Sequence, residues 1–463
     1  MSFASLEFVI FFAVVFAVTL FLQRLKRKIF KEVFLLIASY FFYAYWDFRF
    51  AFLLLFVTVA VYISARFIHK KISVVFGVVV PLVVLGFFKY FNFFLSSFSA
   101  VVGGSWNALN IILPVGISFY TFQALSYVID VKRGKIEAEK SFIRLALYIS
   151  FFPQLVAGPI VKASEFLPQL DEDRRITLKN VEYGVQLMVF GFLKKIVIAD
   201  HLSVFVDDVF RMPSTFHWSS ILLAVISYAI QIYFDFSGYS DIAIGCAKCF
   251  GYDFCPNFNL PYLSENVTVF WRRWHISLST WLREYLYIPL GGNRKGKFRQ
   301  YINLFITMLL GGFWHGANWT FVVWGAMHGL ALCVDKLIPK KIYDKVVFKL
   351  LGTILTLSFV SFLWIFFRAD TFQTAWLVIK GILTFQNGIL QPFSWSFVAI
   401  ATVCIASVIA VVRSRKKKEK FVSGFYPIVS LNKVWGLALL FVEIGLILGL
   451  GFTGEHPFVY FQF

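Results

Sequence analysis

The chain has 463 residues, of which 59% are apolar and 20% aromatic against 15% charged, and it carries a formal net charge of +19. Soluble domains average about 45–50% apolar and about 25% charged residues, so this chain has too little polar surface to cover itself in water. The composition excludes a soluble globular enzyme. The cations lie in short clusters between apolar runs, the pattern of charge sorting across a bilayer rather than of a nucleic-acid surface, so no nucleic-acid partner is expected.

Apolar runs of roughly 18–25 residues recur from Leu6 to Leu450, each long enough to cross a bilayer as a helix. The first, LEFVIFFAVVFAVTLFL, has no positive segment before it and no small-residue cleavage site after it, so it is expected to stay in the membrane. Behind it, the cluster from Arg24 to Lys31 places that loop in the cytoplasm and the N-terminus outside. Spans follow near 33–46, 50–66, 73–97 and 109–129, and the basic loops ARFIHKK and DVKRGK keep one orientation. The block RSRKKKEK, Arg413 to Lys420, marks a late cytoplasmic loop, and a last span near 433–451 leaves the C-terminus outside. The expectation is an all-α polytopic membrane protein, one domain over 1–463 with a motif-bearing core near 110–335 and C-terminal spans near 347–451. It comprises about 11–13 spans with interfacial and re-entrant helices.

The middle is less regular. Between Phe142 and Tyr239 the apolar segments are broken by Pro153, Pro159, Lys194 and Lys195. Broken helices are tolerated in a bilayer only where protein or a watery cavity surrounds the loose backbone groups, so this region is expected to enclose something. Asp235 and Asp241, in YFDFSGYSDIAIG, either line a cavity or pair with the arginines of the next element. Cysteine is sparse: Cys333 and Cys404 lie in apolar runs, and Cys246, Cys249 and Cys255 have neither a second pair nor a neighbouring histidine, so no metal site is expected.

Residues 259–300, NLPYLSENVTVFWRRWHISLSTWLREYLYIPLGGNRKGKFRQ, are too polar to span and too apolar to float. They suit a helix lying in the interface, with Trp271, Trp274, Trp281, Tyr285 and Tyr287 at headgroup level and the arginines toward water or phosphate. His275 lies on this element. GGNRKGK lacks the strand and the Gly-Lys-Ser/Thr end of a nucleotide loop; its charge, around Arg294 and Lys295, either holds a phosphorylated carrier or signals topology.

From Asn303 the chain turns apolar and reaches His315 after twelve residues, roughly 18 Å along a helix and more than half the depth of a hydrocarbon core near 30 Å. GGFWHGANW then gives way to another apolar run ending at DKLIPKK, the pattern of a re-entrant or sharply bent helix pair with His315 near its tip. An imidazole there is expected to stay neutral and able to accept a proton, as a general base for a hydroxyl or thiol attacking an acyl group. The alternative is a helix-to-helix hydrogen bond. Asn318 can support its geometry or donate to a developing oxyanion. His275 can orient His315, act as a second acid or base, or bond a backbone carbonyl, whereas His328 is expected to be a packing residue and His69, His201, His217 and His456 carry no special role.

Five ordered stretches, LPVGISFYTFQALSYVIDV, FPQLVAGPI, YFDFSGYSDIAIG, FWRRWHISLSTWLREYLYIPLGGNRKGK and MLLGGFWHGANWTFVVWGAMHG, resemble the membrane-bound O-acyltransferase (MBOAT) family, in its bacterial branch that acetylates polysaccharide or peptidoglycan. The resemblance implies a multi-helix fold enclosing a tunnel, with His315 as the signature histidine and His275 as the second. Trp314, Asn318 and Arg273 fall in the matching motifs and, with Arg294 and Lys295, are the candidate substrate-binding residues. It also implies acetyl-CoA as donor substrate with no resident cofactor, a bacterial inner-membrane location, a glycan acceptor outside, and an extracytoplasmic partner of SGNH-hydrolase type, since no such domain occurs in this sequence. YIPLGGNRKGK departs from the related transferases that place D-alanine on teichoic acid, which stay the alternative reading together with a transporter of lipid-linked sugars.

Overall fold

The longest apolar runs form the long helices of the computed structural model, and one of them continues through Pro81. The structure describes residues 1, 3–25, 27–104, 106–156, 158–172, 174–391, 429–452, 454 and 458–459. Arg413 to Lys420, Cys404 and His456 lie outside the described residues. Among those described, no strands pair into a sheet; one isolated bridge joins Phe216 and Ile389. Among the described residues, five helical stretches are long and apolar enough to cross a membrane: Leu6–Leu25, Phe48–Arg66, Lys71–Val102, Trp218–Cys249 and Val346–Arg368.

The described chain divides into two compact units, Met1–Met188 with Ile242–Cys255, and Val189–Asp241 with Pro256–Phe463. The first holds α1 (Leu6–Leu22), α2 (Lys28–Ala44), α3 (Phe48–Arg66), α4 (Lys71–Leu85), α5 (Phe91–Val102), α6 (Ile117–Lys132), α7 (Phe142–Ser150), α8 (Phe152–Leu155) and α9 (Ala163–Asp171). Two helices, α10 (Leu178–Phe192) and α12 (Trp218–Cys249), contribute to both. The second unit adds α11 (Asp200–Arg211), α13 (Val267–Arg273), α14 (Ile276–Leu282), α15 (Lys297–His315), α16 (Trp319–Asp335), α17 (Val346–Arg368), α18 (Phe372–Leu383) and α19 (Val434–Leu450).

The span expected at 109–129 begins later. Residues 106–114 are not helical, and α6 starts only after Pro114 and Gly116, which has φ +75° and lies so close to the Leu155 carbonyl that a side chain there would collide. The break between α7 and α8 is satisfied by protein, as broken backbone in a bilayer requires. Ser39 Oγ accepts from the Phe152 N–H (3.1 Å), Gln154 Nε2 donates to the Tyr148 carbonyl (2.5 Å), and the Tyr148 hydroxyl donates to the Val161 carbonyl (3.1 Å).

In the second unit, the π-helical turn Leu193–Ala199 continues α10 into α11 and buries two consecutive lysines. Lys194 pairs with Asp241, and Lys195 sits 2.7 Å from Asp200 and 2.8 Å from Asp235. Every member of this cluster is 5% exposed or less. Asp235 and Asp241 therefore pair with the lysines that interrupt the preceding helix, not with the arginines that follow. A lysine in hydrocarbon requires a counter-charge within reach, and α12 supplies one on each of two successive turns.

Removing one partner of such a pair leaves an uncompensated buried charge. Lys194→Met should cost about 3–5 kcal/mol of stability, and adding Asp241→Leu should recover most of it. Thermal unfolding of the detergent-solubilised variants checks this; equal melting temperatures for the single and double variants would contradict the pairing.

Candidate active site

The α15–α16 hairpin is held by close backbone approach. Gly312 on α15 and Gly325 on α16 lie within van der Waals contact, and a Cβ on Gly325 would sit 2.5 Å from the Met308 carbonyl and 2.9 Å from the Gly312 Cα. His315 is the last residue of α15, and the tip Gly316–Ala317 leads to Asn318, the N-cap of α16. Asn318 accepts from the Thr320 N–H (3.0 Å) and donates to the Asp370 carbonyl (2.7 Å), so its amide shapes the turn and ties it to the loop after α17.

His315 is 3% exposed. Its ring is walled by Trp314, Trp324 and Phe367, with centroids at 4.9, 5.1 and 5.2 Å. Trp314 also touches His275, at 6.2 Å, and so is a neighbour of both histidines. These three walls are aromatic. In such surroundings hydrogen bonds and partial charges act with little screening.

Residues 259–300 do not form one interfacial helix. The element breaks between α13 and α14, where His275 adopts a left-handed backbone (φ +41°, ψ +57°) that few non-glycine residues occupy. Trp271, Trp274, Trp281 and Tyr285 are buried rather than displayed at headgroup level, because the break turns them inward against α16, α17 and one another. Asn257 holds the break. Its carbonyl accepts from the Ile276 N–H (2.9 Å), and its Oδ1 accepts from the Ser277 N–H (3.2 Å) and hydroxyl (2.9 Å). Its Nδ2 donates to Ser240 Oγ (3.2 Å).

The same Oδ1 lies 3.2 Å from His275 Nδ1. An amide oxygen only accepts, and the backbone donor fixes which end of the amide is oxygen, so Nδ1 carries the proton and Nε2 the lone pair. Burial pushes the His275 imidazole below its ordinary range. His328 accepts from Trp271 Nε1 (3.3 Å) and stacks on Phe270, as a packing histidine does.

A cavity of about 650 Å³ lies beside α15, with Arg272, Arg283, Lys336 and Gln300 among its lining residues and Leu304, Thr307 and Met308 on the helix itself. Thr307, Gly311 and His315 are spaced i, i+4, i+8 and share one face of α15. Leu282 is also in the lining, and its Cδ1 lies 3.1 Å from where a Gly311 side chain would begin. Arg294 and Lys295 are exposed and outside this lining, and Arg273 is half-buried, donating to the Leu263 carbonyl (3.1 Å). Asn257, Leu282, Trp324 and Phe367 carry no signal in the sequence pattern, because each acts through a partner distant in the chain. If Asn257 sets the tautomer, Asn257→Leu should convert His275 from the single Nδ1–H form to a mixture, read by ¹⁵N NMR of labelled imidazoles; an unchanged spectrum would contradict this.

The sequence model of the family described as "MBOAT, membrane-bound O-acyltransferase family" matches residues 139–375. The chain is 42% identical over 401 residues to the "Probable alginate O-acetylase AlgI" of Pseudomonas aeruginosa, covering 83% of this chain and 75% of that one. It is 38% identical over 393 residues to the "Peptidoglycan O-acetyltransferase" of Helicobacter pylori, covering 77% and 75%. To the "Teichoic acid D-alanyltransferase" of Bacillus subtilis it is 28% identical over 236 residues, 48% and 59%. The chain belongs to the membrane-bound O-acyltransferase family and is a multi-pass membrane acyltransferase.

Proposed function

We propose that this chain is the membrane subunit of an O-acetyltransferase, moving acetyl groups from cytoplasmic acetyl-CoA across a bacterial inner membrane toward hydroxyls of a polysaccharide or peptidoglycan. The positive-inside pattern of the basic loops supports a cytoplasmic start of α15, where Lys297 and Arg299 lie, and termini outside. The names of the relatives similar over most of the chain, an alginate O-acetylase and a peptidoglycan O-acetyltransferase, favour acetyl over D-alanyl transfer.

One observation carries the reading: a cavity rimmed by cations runs along the face of α15 that ends in a buried histidine. Arg272, Arg283 and Lys336 suit the phosphates of a coenzyme A thioester, and the apolar lining of Leu282, Leu304 and Met308 suits its pantetheine arm. At the tip, His315 takes the proton of an acceptor hydroxyl as that oxygen attacks the thioester carbonyl. The C–O bond forms, the C–S bond breaks, and the sulfur leaves as a thiol with the proton returned by the imidazolium. The acceptor is the glycan or the extracytoplasmic SGNH-type partner that completes the transfer. His275, fixed by Asn257 and in contact with Trp314, positions the wall of the site.

Leu282 must swing aside for the arm to pass. His315→Ala should abolish glycan acetylation, measured by mass spectrometry of cell glycans, while the protein still accumulates in the membrane; retained acetylation would refute the role. Gly311→Val should cut turnover by about 100-fold by blocking the face of α15, and adding Leu282→Ala should restore part of it. Full activity in Gly311→Val would place the donor's route elsewhere.

A further inference from the structure

The first unit contains a second cavity that acyl transfer does not use. Where α1 ends and α2 begins, the chain is fastened to the segment after α9: Gln23 Oε1 accepts from the Ile176 N–H (2.6 Å), and Lys28 Nζ donates to the Asp171 carbonyl (2.7 Å). Lys31 Nζ donates to the carbonyls of Arg174 (3.1 Å) and Phe250 (3.2 Å). These ties join loops more than 140 residues apart and wall a cavity of about 630 Å³.

Six cations line it, Arg24, Arg27, Lys28, Lys31, Arg174 and Arg175, against two carboxylates. Both carboxylates are engaged by arginine: Glu32 lies 3.2 Å from Arg144, and Glu172 lies 2.7 Å from Arg174. Arg24, Arg27 and Lys28 face no carboxylate among the described residues. A loop serving only to orient the chain needs the first cluster of cations, not a second brought back to close a concave wall around it. A concave surface of one sign concentrates its field on whatever anion enters, and guanidinium groups match phosphate oxygens in geometry.

The surroundings select the kind of phosphate. Phe21, Leu25, Ile29 and Phe30 on the same turn are 60%, 46%, 43% and 45% exposed, so large apolar side chains stand in the open directly beside the cations. Tyr252, the one aromatic residue in the lining, is buried with Lys31 Nζ 4.9 Å above its ring, which suits a nucleotide base poorly. We propose that this cavity binds the headgroup of an anionic phospholipid, with its acyl chains lying along the exposed apolar side of α1 and α2. Such basic pockets between membrane helices are suited to anionic lipid headgroups. The lipid bridges two loops that otherwise repel, and so stabilises the first unit.

The test uses the full chain, delipidated in neutral detergent and offered phosphatidylglycerol, phosphatidylcholine or coenzyme A, with bound ligand read by native mass spectrometry and melting temperature in parallel. Retention of phosphatidylglycerol over phosphatidylcholine is expected, about tenfold weaker in Arg24→Gln/Arg27→Gln and unchanged in Lys345→Gln/Lys349→Gln, whose cations lie on exposed residues elsewhere. Equal retention of the two lipids would overturn the proposal, as would undiminished preference in the Arg24/Arg27 variant. Displacement of phosphatidylglycerol by coenzyme A with loss of that displacement in the same variant would assign the cavity to a soluble phosphate and also overturn it.

Discussion

A polar or ionisable group surrounded by hydrocarbon has no water to turn to, so its partner must be built into the protein at the same depth. That constraint shapes the second unit at each of its irregular points. Two consecutive lysines on a helix would point some 100° apart, and the π-helical turn at Leu193–Ala199 seats both against carboxylates of α12. The left-handed residue at His275 persists because Asn257 bonds the backbone on its far side and the imidazole itself. The Asn318 side chain, at the tip beside His315, does for α16 what water would do for a helix in solution.

The same constraint explains the chemistry. Aromatic walls at Trp314, Trp324 and Phe367 surround the buried His315 ring. A preorganised dipole or proton acceptor in such a place acts with little screening. The glycines of α15 divide two tasks. Gly312 lets α16 come close enough to bring Trp324 and His328 into place, while Gly311, on the face shared with His315, leaves a slot that Leu282 covers.

Much of this was legible in the sequence. The helical, polytopic class follows from composition, and the hairpin with His315 at its tip follows from counting residues between the basic start of α15 and GGFWHGAN. The family is carried by ordered motifs. Other features were hidden because they depend on pairs far apart in the chain. Lys194 and Lys195 looked like interruptions until Asp235 and Asp241 appeared opposite them, some 40 residues on. The tryptophans of residues 259–300 fit an interfacial belt by pattern, and the break at His275, invisible to any periodicity, accompanies their burial. Arg294 and Lys295 stood out by charge density, yet the cavity is lined by Arg272, Arg283 and Lys336, which come from three separate elements.

The central claim is that a thioester reaches His315 along one face of α15. Cryo-electron microscopy of the chain in lipid nanodiscs, soaked with a non-cleavable thioether analogue of acetyl-CoA, tests it most directly. The account predicts phosphate density at Arg272, Arg283 and Lys336, Leu282 displaced, and the terminal acetyl-equivalent carbon within about 3–3.5 Å of the His315 ring. An analogue bound elsewhere, with His315 still enclosed by Trp314, Trp324 and Phe367, would contradict it.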